Sequence, residues 1–390
     1  MKKNYKIVDK GSSRYVVGEV RQYDQKNEMY KRMLWDPDLL EVGKKFYVEP
    51  VYPKKKPGYQ LEDLSLVNAS WHLEDNYGMG IWGGKRDLYS WDWDGKYSYP
   101  RVPSGLKIDL DDPQSLAKTI KKAARFLGAA KTGICEVDRR WLYSKGYTKT
   151  PEGGKAFEIS LPEVYKYAIV MLIETDYDAI ACSPDGPATS ATGLGYSKMA
   201  FLAGLVATFI RGLGYKAIPC GNDTACSVPL AIDAGLGELG RNGLLITPDF
   251  GPRVRICKVF TDMPLIVDSP IEFGVWDFCK TCEKCAKNCP SQALPYGDPT
   301  DLPIDISNRA GVLRWPIDAK KCATFWANRG IDCANCIRTC PFNKKPGPIH
   351  DIARWGIRKT RIFNKSFIFL DSLLGYSKQK SSQKFWSNRK

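Results

Sequence analysis

Eight of the 13 cysteines in this chain lie between positions 279 and 340, at spacings regular enough to indicate a metal cofactor. They form two groups: Cys279-x2-Cys282-x2-Cys285-x3-Cys289-Pro290, and Cys322 followed by Cys333-x2-Cys336-x3-Cys340-Pro341. This is the spacing of a ferredoxin with two [4Fe–4S] clusters, in which three close thiolates bind one cluster and the cysteine before proline binds the other. The ligands of the first predicted cluster are Cys279, Cys282, Cys285 and Cys340. The ligands of the second are Cys289, Cys322, Cys333 and Cys336.

Cys322 is the least regular of these ligands. It lies eleven positions before Cys333, so a loop must fold back to bring its thiolate in. Structural zinc and disulfides are the alternatives. Zinc takes four ligands as cysteine pairs or as Cys with His, whereas this chain offers two triplets that end in Cys-Pro and has only His72 and His350. Disulfides need no regular spacing, so the pattern favours two clusters.

The composition indicates a globular protein of two or three domains. The chain has 390 residues, of which 43% are hydrophobic and 12% aromatic, enough for a substantial core. Its 58 Lys and Arg residues exceed its 43 Asp and Glu residues and give a net charge of +15. Such a surplus suits a solvated basic face, or attraction to nucleic acid or an anionic membrane, so charge alone does not select a function.

The hydropathy pattern predicts no membrane-spanning segment. We find no uninterrupted apolar window of 18 residues, and the longest apolar run, residues 199–210, is interpreted as a buried helix. Residues 1–5 lack the apolar region of an export signal. The expectation is therefore a cytoplasmic protein or a mature form whose signal has been removed.

The order of helical and strand patterns predicts an α/β fold. Residues 1–105 are irregular and aromatic, and their rings either pack over a core or line an apolar ligand site. Order is expected from Asp111 onwards. The predicted elements are a helix from Pro113 to Leu127, a strand at 167–173 buried on both faces, a helix at 199–210, and strands at 216–219, 244–247 and 254–260.

Three further boundaries follow from these patterns. The α/β core is placed at 106–270, the ferredoxin-like module with two [4Fe–4S] clusters at 271–345, and a basic C-terminal extension with few structural signals at 346–390.

The segment 235–240 matches the G-x-G-x-x-G string, but it follows a helical pattern and not a strand, which argues against a dinucleotide site. Its glycines are predicted to make tight turns or to let the backbone approach a large flat ligand.

Two clusters beside a large core predict a buried electron acceptor, with flavin, haem and a corrinoid as candidates. Neither His72 nor His350 has a haem-attachment context. No histidine lies in a glycine-flanked loop that would suit a corrinoid. If a corrinoid binds, its cobalt therefore receives no histidine from this chain.

Several segments together closely resemble the corrinoid-dependent reductive dehalogenases. They are Ala-Cys-Ser-Pro at 181–184, Gly-Leu-Gly-Tyr at 193–196, Gly-Asn-Asp at 221–223, and the runs 234–248, 251–257 and 261–265, together with the two cysteine groups. The resemblance covers about residues 110–345 and implies an enzyme that replaces a halogen of a small organohalide with hydrogen. It also implies a nitroreductase-like core that holds a base-off cobamide, with residues 1–105 covering the active site. Electrons would pass through the distal and then the proximal cluster to reduce cobalt to Co(I).

The family's catalytic tyrosine, asparagine and arginine fall on Tyr196, Asn222 and Arg255. Tyr196 would donate the proton, Arg255 would lower the pKa of the phenol, and Asn222 would orient the phenol or the substrate. The alternative roles are a cap of the 199–210 helix, a turn residue and an ion pair, and Arg253 is the rival of Arg255. The corrinoid contacts expected by motif position are Thr192, Gly193, Gly195, Gly235, Gly237, Gly240, Asn242 and Thr247.

The resemblance also suggests partners and a location. The expected partners are a small halogenated substrate, a low-potential electron donor and a small membrane anchor protein, with a homodimer as the assembly and no nucleic acid. A mature form exported by the twin-arginine route would lie on the outer face of the cytoplasmic membrane. Two other functions stay open: a corrinoid enzyme of tRNA modification like epoxyqueuosine reductase, and a non-catalytic electron-transfer protein.

Overall fold

The computed structural model describes residues 5–78, 87–92, 105–110, 112–148, 154–345 and 347–387. Of the predicted features, Asp111 and the aromatic residues Trp82, Trp93, Tyr97 and Tyr99 lie outside these ranges. The strands are β1 (Lys6–Ile7), β2 (Tyr23–Asp24), β3 (Lys131–Glu136), β4 (Tyr143–Thr148), β5 (Lys155–Glu158), β6 (Tyr167–Glu174), β7 (Ala217–Cys220), β8 (Glu238–Leu239), β9 (Leu245–Ile246), β10 (Val254–Thr261) and β11 (Ile271–Glu272). The helices are α1 (Met29–Arg32), α2 (Leu40–Tyr47), α3 (Leu61–Tyr77), α4 (Pro113–Phe126), α5 (Tyr177–Ile180), α6 (Gly186–Gly212), α7 (Ser227–Asp233), α8 (Val275–Thr281), α9 (Lys284–Lys287), α10 (Ala319–Arg329), α11 (Asn335–Arg338), α12 (Pro348–Lys359), α13 (Asn364–Leu373) and α14 (Ser382–Ser387).

A four-stranded sheet in the order β3-β6-β10-β7 forms the centre of the core. Each neighbouring pair is antiparallel, with Ile256 of β10 opposite Leu172 of β6. The predicted strand at 167–173 is confirmed as β6, whose residues 168–173 are all buried. Helices cover both faces of the sheet: α4 and α6 pack on one face and α7 on the other. Because both faces are covered, the strand reads in the sequence as a continuous apolar run.

Helix α6 is the longest element, and the prediction of a helix at 199–210 captured only its second half. The first half is rich in Gly, Ala, Ser and Thr, which carry no apolar periodicity but allow neighbours to approach closely. By length and composition this helix is apolar enough to cross a membrane, since it contains an 18-residue window with a mean hydropathy of 1.4. However, 56% of that window is buried inside the fold. It packs against the sheet and α3, as the central helix of a core does.

Residues 5–78 contact both the core and the cysteine-rich module. Strand β1 pairs with β11, and the Ser12 hydroxyl donates to Asp233 of α7 at 2.7 Å. Helices α1 and α2 pack on α10 of the module, and α3 packs along α6. Residues 5–78 are therefore integrated with the rest of the chain. The domain boundary near residue 105 stays a prediction.

The prediction of a C-terminal extension with few structural signals is wrong for the described residues 347–387. They form α12, α13 and α14 and return to the core, where the Trp386 indole donates to Asp63 at 2.9 Å. The Lys380 backbone N–H donates to the Ala181 carbonyl at 2.9 Å, and Ser382 is buried. The many basic residues of this segment masked the apolar stripe that anchors it, which includes Ile357.

Candidate active site and cluster sites

Tyr196 lies in the middle of α6 and is contacted by Trp71 and by Asn222 and Arg255, the two residues predicted beside it. Its ring stacks on Trp71 of α3, with centroids 5.1 Å apart and an interplanar angle of 19°. The Arg255 guanidinium carbon lies 5.0 Å from the ring centroid. The Asn222 side-chain amide donates to the phenol oxygen at 3.2 Å. The structure therefore brings Tyr196, Asn222 and Arg255 together, and a helix-capping role for Tyr196 is wrong because the helix begins ten residues earlier.

Arg255 reaches Tyr196 because β10 places it on the sheet face that packs against α6. Its Nη2 donates to the Thr192 hydroxyl at 3.2 Å. A Cβ added at Gly195 would lie 2.8 Å from Arg255 Cγ, so the glycine makes room for this side chain. The Nε of Arg255 is buried without a hydrogen-bond partner. The guanidinium is thus held in place by α6 and keeps donor capacity for a ligand.

Asn222 is held by a network that begins at a buried lysine. Lys258 of β10 donates to the Gly221 carbonyl and, at 3.1 Å, to the Ser227 hydroxyl. The Ser227 hydroxyl in turn donates to Asn222 Oδ1 at 3.4 Å. This contact assigns the oxygen of the Asn222 amide to Ser227 and leaves its NH2 group to face Tyr196. Asn222 is therefore more than a turn residue.

The other arginine candidate, Arg253, has a different environment. It is buried, its Nη1 donates to Glu174 at 2.6 Å, and its Nε donates to Asn343 at 3.0 Å. Its guanidinium also lies over the Tyr177 ring. Arg253 joins the core to the segment after Cys340, so the structure favours Arg255 as the residue at the site.

Burial sets the protonation of Tyr196. Burial raises the pKa of this phenol, and the Arg255 charge lowers it, with the net result above the usual value of 10.0. The predicted direction of the Arg255 effect is confirmed, but it is smaller than the effect of burial. Tyr196 is consequently a phenol and not a phenolate at neutral pH, which a proton donor requires.

Tyr196, Asn222 and Arg255 border a region that we call the internal space. Asn222 is exposed, and Glu28, Tyr30 and Asp332 are half-buried. Burial raises the pKa of Asp332 to about 6 and also raises that of Glu28. Burial raises the pKa of Tyr30 too, with smaller effects from Cys322 and then Tyr196. Tyr30 therefore lies within electrostatic range of both the Tyr196 phenol and the second cysteine group.

The first cysteine group surrounds one cavity. Cys279, Cys282, Cys285 and Cys340 all line a space of about 310 Å³. Arg241 closes it on one side by donating to the carbonyls of Cys279 at 2.8 Å and Pro295 at 2.9 Å. The residues predicted to bind the first cluster are thus adjacent, including Cys340, which lies 55 positions from its nearest partner in sequence, Cys285.

The second cysteine group is also assembled. After burial, the largest effects on the raised pKa of Cys336 come from the neighbouring thiols of Cys333, Cys322 and Cys289. Cys322, the irregular ligand, lies on α10, and after burial the largest effects on its raised pKa come from Cys333 and Cys289. None of the cysteines is in a disulfide. Among the described residues, no three His, Cys, Asp or Glu side chains converge as a single metal ion would require.

The predicted corrinoid contacts divide into two sets. Thr192, Gly193 and Gly195 lie at the site, where a Cβ at Gly193 would come within 2.4 Å of the Trp71 ring. The others lie in the loops that follow α7, and they are Gly235, Gly237, Gly240, Asn242 and Thr247.

The recorded contacts of this second set are with the protein itself. A Cβ at Gly235 would lie 2.4 Å from the Ser269 carbonyl oxygen, and one at Gly237 would lie 2.2 Å from that of Ile246. Asn242 donates to the Cys336 carbonyl at 3.4 Å, and Thr247 caps a turn at Gly251. These contacts account for the glycines as turn residues, and the predicted corrinoid contacts there stay predictions.

Sequence reasoning missed four residues of the site: Glu28, Tyr30, Ser227 and Lys258. The signal for Lys258 was present, because a lysine in the middle of the apolar strand β10 must be buried and therefore needs partners. Glu28 and Tyr30 carried no such signal. They lie far from Tyr196 along the chain and outside any recognisable motif.

Comparison with known proteins identifies the family. Residues 278–343 match a family described as a 4Fe-4S double cluster binding domain. The tetrachloroethene reductive dehalogenase of Sulfurospirillum multivorans is 34% identical over 373 residues, covering 87% of this chain and 73% of the relative. The chain belongs to the reductive dehalogenases. This family consists of oxidoreductases that act on carbon–halogen bonds.

Two further similarities concern a solved reductive dehalogenase and a member of a second enzyme family. A solved reductive dehalogenase, described as B12-dependent, matches with a TM-score of 0.74 at 25% identity, covering 96% of this chain and 49% of that chain. This chain thus spans about half of that longer protein. The epoxyqueuosine reductase of Aliivibrio fischeri is 26% identical over 264 residues, covering 60% of this chain and 68% of the relative.

The cofactors of the reductive dehalogenases, a B12-type corrinoid and two [4Fe–4S] clusters, fit the residues present. The two cysteine groups provide four thiols each. The internal space beside Tyr196 contains buried polar atoms without partners, Arg255 Nε and Asp332 Oδ2, as a ligand site would. His72 contacts Asn76 and Tyr77, and His350 contacts Tyr376, so neither histidine is placed to bind cobalt beside Tyr196. The nitroreductase-like character of the core stays a prediction.

Proposed function

We propose that this chain replaces a halogen of a small organohalide with hydrogen, with Tyr196 as the proton donor. The observation that carries the proposal is the contact of Tyr196 with both Asn222 and Arg255 at the wall of the internal space. When bound, the clusters supply electrons and the cobamide supplies the cobalt centre that breaks the carbon–halogen bond. The residues of the chain then have to bind the substrate, exclude water and deliver one proton.

The direction of the hydrogen bond from Asn222 leaves the phenol hydrogen of Tyr196 free for transfer. Asn222 donates to the phenol oxygen, so the phenol's own hydrogen is not used in that bond. This hydrogen is available to a reacting carbon in the internal space. After it leaves, the amide of Asn222 and the charge of Arg255 both stabilise the phenolate. The two neighbours therefore favour the charged product of proton transfer more than the neutral starting state.

The substrate is proposed to be small and apolar. The stacked rings of Tyr196 and Trp71 lie beside the space, and the Arg255 guanidinium lies 5.0 Å from the Tyr196 ring centroid. Curated relatives of this chain include dehalogenases of tetrachloroethene and trichloroethene. Chlorinated ethenes are accordingly the first compounds to test, followed by chlorinated ethanes and small phenols.

The test is anaerobic halide release from this panel by protein that carries cobalt and both clusters, with a reduced viologen as donor. We expect release by the wild type and its loss in Tyr196→Phe, which keeps the ring stack on Trp71 but removes the hydroxyl. Tyr52→Phe is the matched control, because Tyr52 is 72% exposed. Absence of halide release from fully loaded wild-type protein, or full activity in Tyr196→Phe, would contradict the proposal.

We further propose that the electron donor and a small membrane anchor protein dock on the C-terminal helices. An apolar groove of about 790 Å³ lies there and includes Phe278 and Pro341, the neighbours in sequence of Cys279 and Cys340. Large apolar side chains are exposed along α12, α13 and the turns around them. They are Ile349, Ile352, Trp355, Ile362, Phe363, Phe369, Leu370, Leu373 and Leu374.

This surface, which we call the C-terminal apolar face, includes nine exposed large apolar side chains within residues 349–374. Its position beside the first cysteine group suits electron entry there. It also supports a peripheral location at a membrane. A measurement of molecular mass in solution tests the expected homodimer.

Vesicle binding tests the docking proposal. Trp355→Glu with Phe369→Glu should abolish co-sedimentation with native membrane vesicles while leaving viologen-driven halide release unchanged. Phe126→Glu is the control, since Phe126 is 89% exposed on α4. If the wild type binds protein-free vesicles as well as native membrane vesicles, the C-terminal apolar face binds lipid and not a protein anchor. Unchanged sedimentation of the double variant would refute the docking role.

A further inference from the structure

Three charged side chains are buried together beside the first cysteine group. They are Lys284 of α9, Lys344 in the segment after Cys340, and Asp371 of α13, and we call them the buried charge triad. Lys284 donates to Asp371 Oδ2, and Lys344 Nζ lies 2.6 Å from Asp371 Oδ1. The side chains of both lysines are 7% exposed and that of Asp371 is 6% exposed. The proposed proton chemistry uses none of them.

The buried charge triad has one more positive charge than it neutralises internally. Both lysines share Asp371, and in the part of the chain that the structure describes no second carboxylate lies within 4.0 Å of either of them. Further contacts of the ammonium groups are with neutral groups: Lys284 donates to the Ser372 hydroxyl at 3.1 Å, and Lys344 lies 4.4 Å from the Tyr376 ring centroid. A buried cation without a full counter-charge is unfavourable, because it has lost hydration. A negative group nearby is therefore stabilised by the triad.

The thiolates of the first cysteine group are within reach of this surplus charge. The Lys284 backbone N–H donates to the Cys282 sulfur. Burial raises the pKa of the Cys282 and Cys340 thiols, while the Lys284 charge lowers that of Cys282 and the Lys344 charge lowers that of Cys340. The Asp371 charge acts in the opposite direction on both thiols. All three charges therefore lie within electrostatic range of ligands of the first cluster.

The surroundings of the buried charge triad make these electrostatic effects strong. Lys344 and Asp371 line the apolar groove of the C-terminal helices. Phe278, Pro341 and Phe342 line both this groove and the cavity of the first cysteine group. Because apolar side chains and not open water surround the triad, its charges are screened less than exposed charges are.

We propose that the buried charge triad determines the reduction potential of the first [4Fe–4S] cluster. The cluster accepts one electron from an external donor, its charge becomes more negative by one, and the donor is oxidised by one electron. Net charge is one of the factors that determine the potential of such clusters. The positive surplus of the triad stabilises the reduced cluster and so favours electron transfer from the donor. The inference needs the two clusters but neither the cobamide nor proton donation by Tyr196, and thus goes beyond the proposed function.

Variants that remove charges of opposite sign test this proposal. The full chain loaded with both clusters is titrated with dithionite and redox mediators, without organohalide, and the reduced clusters are followed by electron paramagnetic resonance. Asp371→Asn should raise the midpoint potential of one cluster and Lys344→Gln should lower it. Each shift should be about 59 mV, a tenfold change in the ratio of reduced to oxidised cluster. Lys344→Arg, which keeps the charge, should stay close to the wild type.

Lys287→Gln is the matched control, because it removes a lysine charge from the same helix as Lys284 at a side chain that is 64% exposed. Its potentials should stay close to those of the wild type, since water and salt screen an exposed charge. Shifts in the same direction in Asp371→Asn and Lys344→Gln, no shift in either, or an equal shift in Lys287→Gln would overturn the proposal. None of these results would affect the dehalogenase proposal, which halide release tests.

Iron content and far-UV circular dichroism, measured on every variant, separate misfolding from an electrostatic effect. If Asp371→Asn loses its cluster, the comparison of Lys344→Gln with Lys344→Arg still decides. A lower potential in the glutamine variant alone supports the proposal, and equal potentials in the two variants refute it.

Discussion

The side-chain amide of Asn222 donates to the phenol oxygen of Tyr196 over 3.2 Å. The donor belongs to a loop after β7 and the acceptor to the middle of α6, so the contact depends on how the sheet and the helix pack. In the proposed function it joins the two residues into one proton-delivering unit, in which the amide helps to stabilise the phenolate left behind.

Removal of this amide should slow proton delivery without unfolding the protein. A hydrogen bond to a charged group contributes about 1.5–3 kcal/mol, so Asn222→Ala should lower the single-turnover rate of halide release roughly 10- to 100-fold. Asn328→Ala, at an exposed position on α10, is the control. A rate within twofold of wild type in Asn222→Ala would show that the amide does not act on the phenolate.

The raised pKa of Tyr196 has a consequence for the pH profile. The active form is the protonated phenol, and burial keeps its pKa above 10.0. The rate of halide release should therefore show no loss from Tyr196 ionisation between about pH 7 and 9. Arg255→Gln removes the charge that lowers this pKa, so any alkaline limb should move to higher pH while the rate at pH 7 falls. An alkaline limb below pH 9 in the wild type, absent in Tyr196→Phe, would contradict this ordering.

Substitution of Arg253 should lower the stability of the protein, whereas substitution of Arg255 should lower its activity. Arg253 is buried against Glu174 and Asn343, so Arg253→Gln should lower the free energy of unfolding by about 2 kcal/mol. Arg255→Gln should leave the melting temperature within a few degrees while reducing halide release. Thermal denaturation and single-turnover rates, measured on both variants, check the prediction. A melting temperature that falls equally in both would reject it.

Gly195 provides a steric test of Arg255 placement. A Cβ there would lie 2.8 Å from Arg255 Cγ, so the Arg255 side chain must shift to accommodate it. We expect Gly195→Ala to fold, to displace the guanidinium from the Tyr196 ring, and to lose activity. Gly212→Ala is the matched control on the same helix, because a Cβ there meets nothing within 4 Å. Equal activity of the two variants would show that the site tolerates a displaced Arg255.

Cys322 should behave as a cluster ligand despite its irregular spacing. Since each cubane cluster holds four irons, Cys322→Ala should lower the iron content from about eight to about four atoms per chain, or convert one cluster to a smaller species. Cys182→Ser, a buried cysteine outside both groups, should keep the full iron content. Iron analysis with electron paramagnetic resonance of the reduced protein distinguishes the two. Full occupancy in Cys322→Ala would assign the fourth ligand to another residue.

The sequence was informative where spacing alone determines position. The cysteine groups assembled as predicted because the Cys-x2-Cys-x2-Cys-x3-Cys spacing determines which thiols face one cluster. Strand β6 was readable because it is buried on both faces. The first half of α6 was not, because its glycines and alanines suit close contacts with Trp71 and Arg255 and carry no helical pattern. Glu28 and Tyr30 reach the site only through the path of the N-terminal segment, which no local pattern encodes.

The pairing of β1 with β11 also sets an order of assembly. Lys6 lies opposite Glu272, so this ladder joins residues more than 260 positions apart, and loops of that length close late because they must first lose the most chain entropy. The segment it secures carries Glu28 and Tyr30, which lie within electrostatic range of Tyr196. These residues therefore reach Tyr196 late in folding, after contacts between residues closer in sequence have formed.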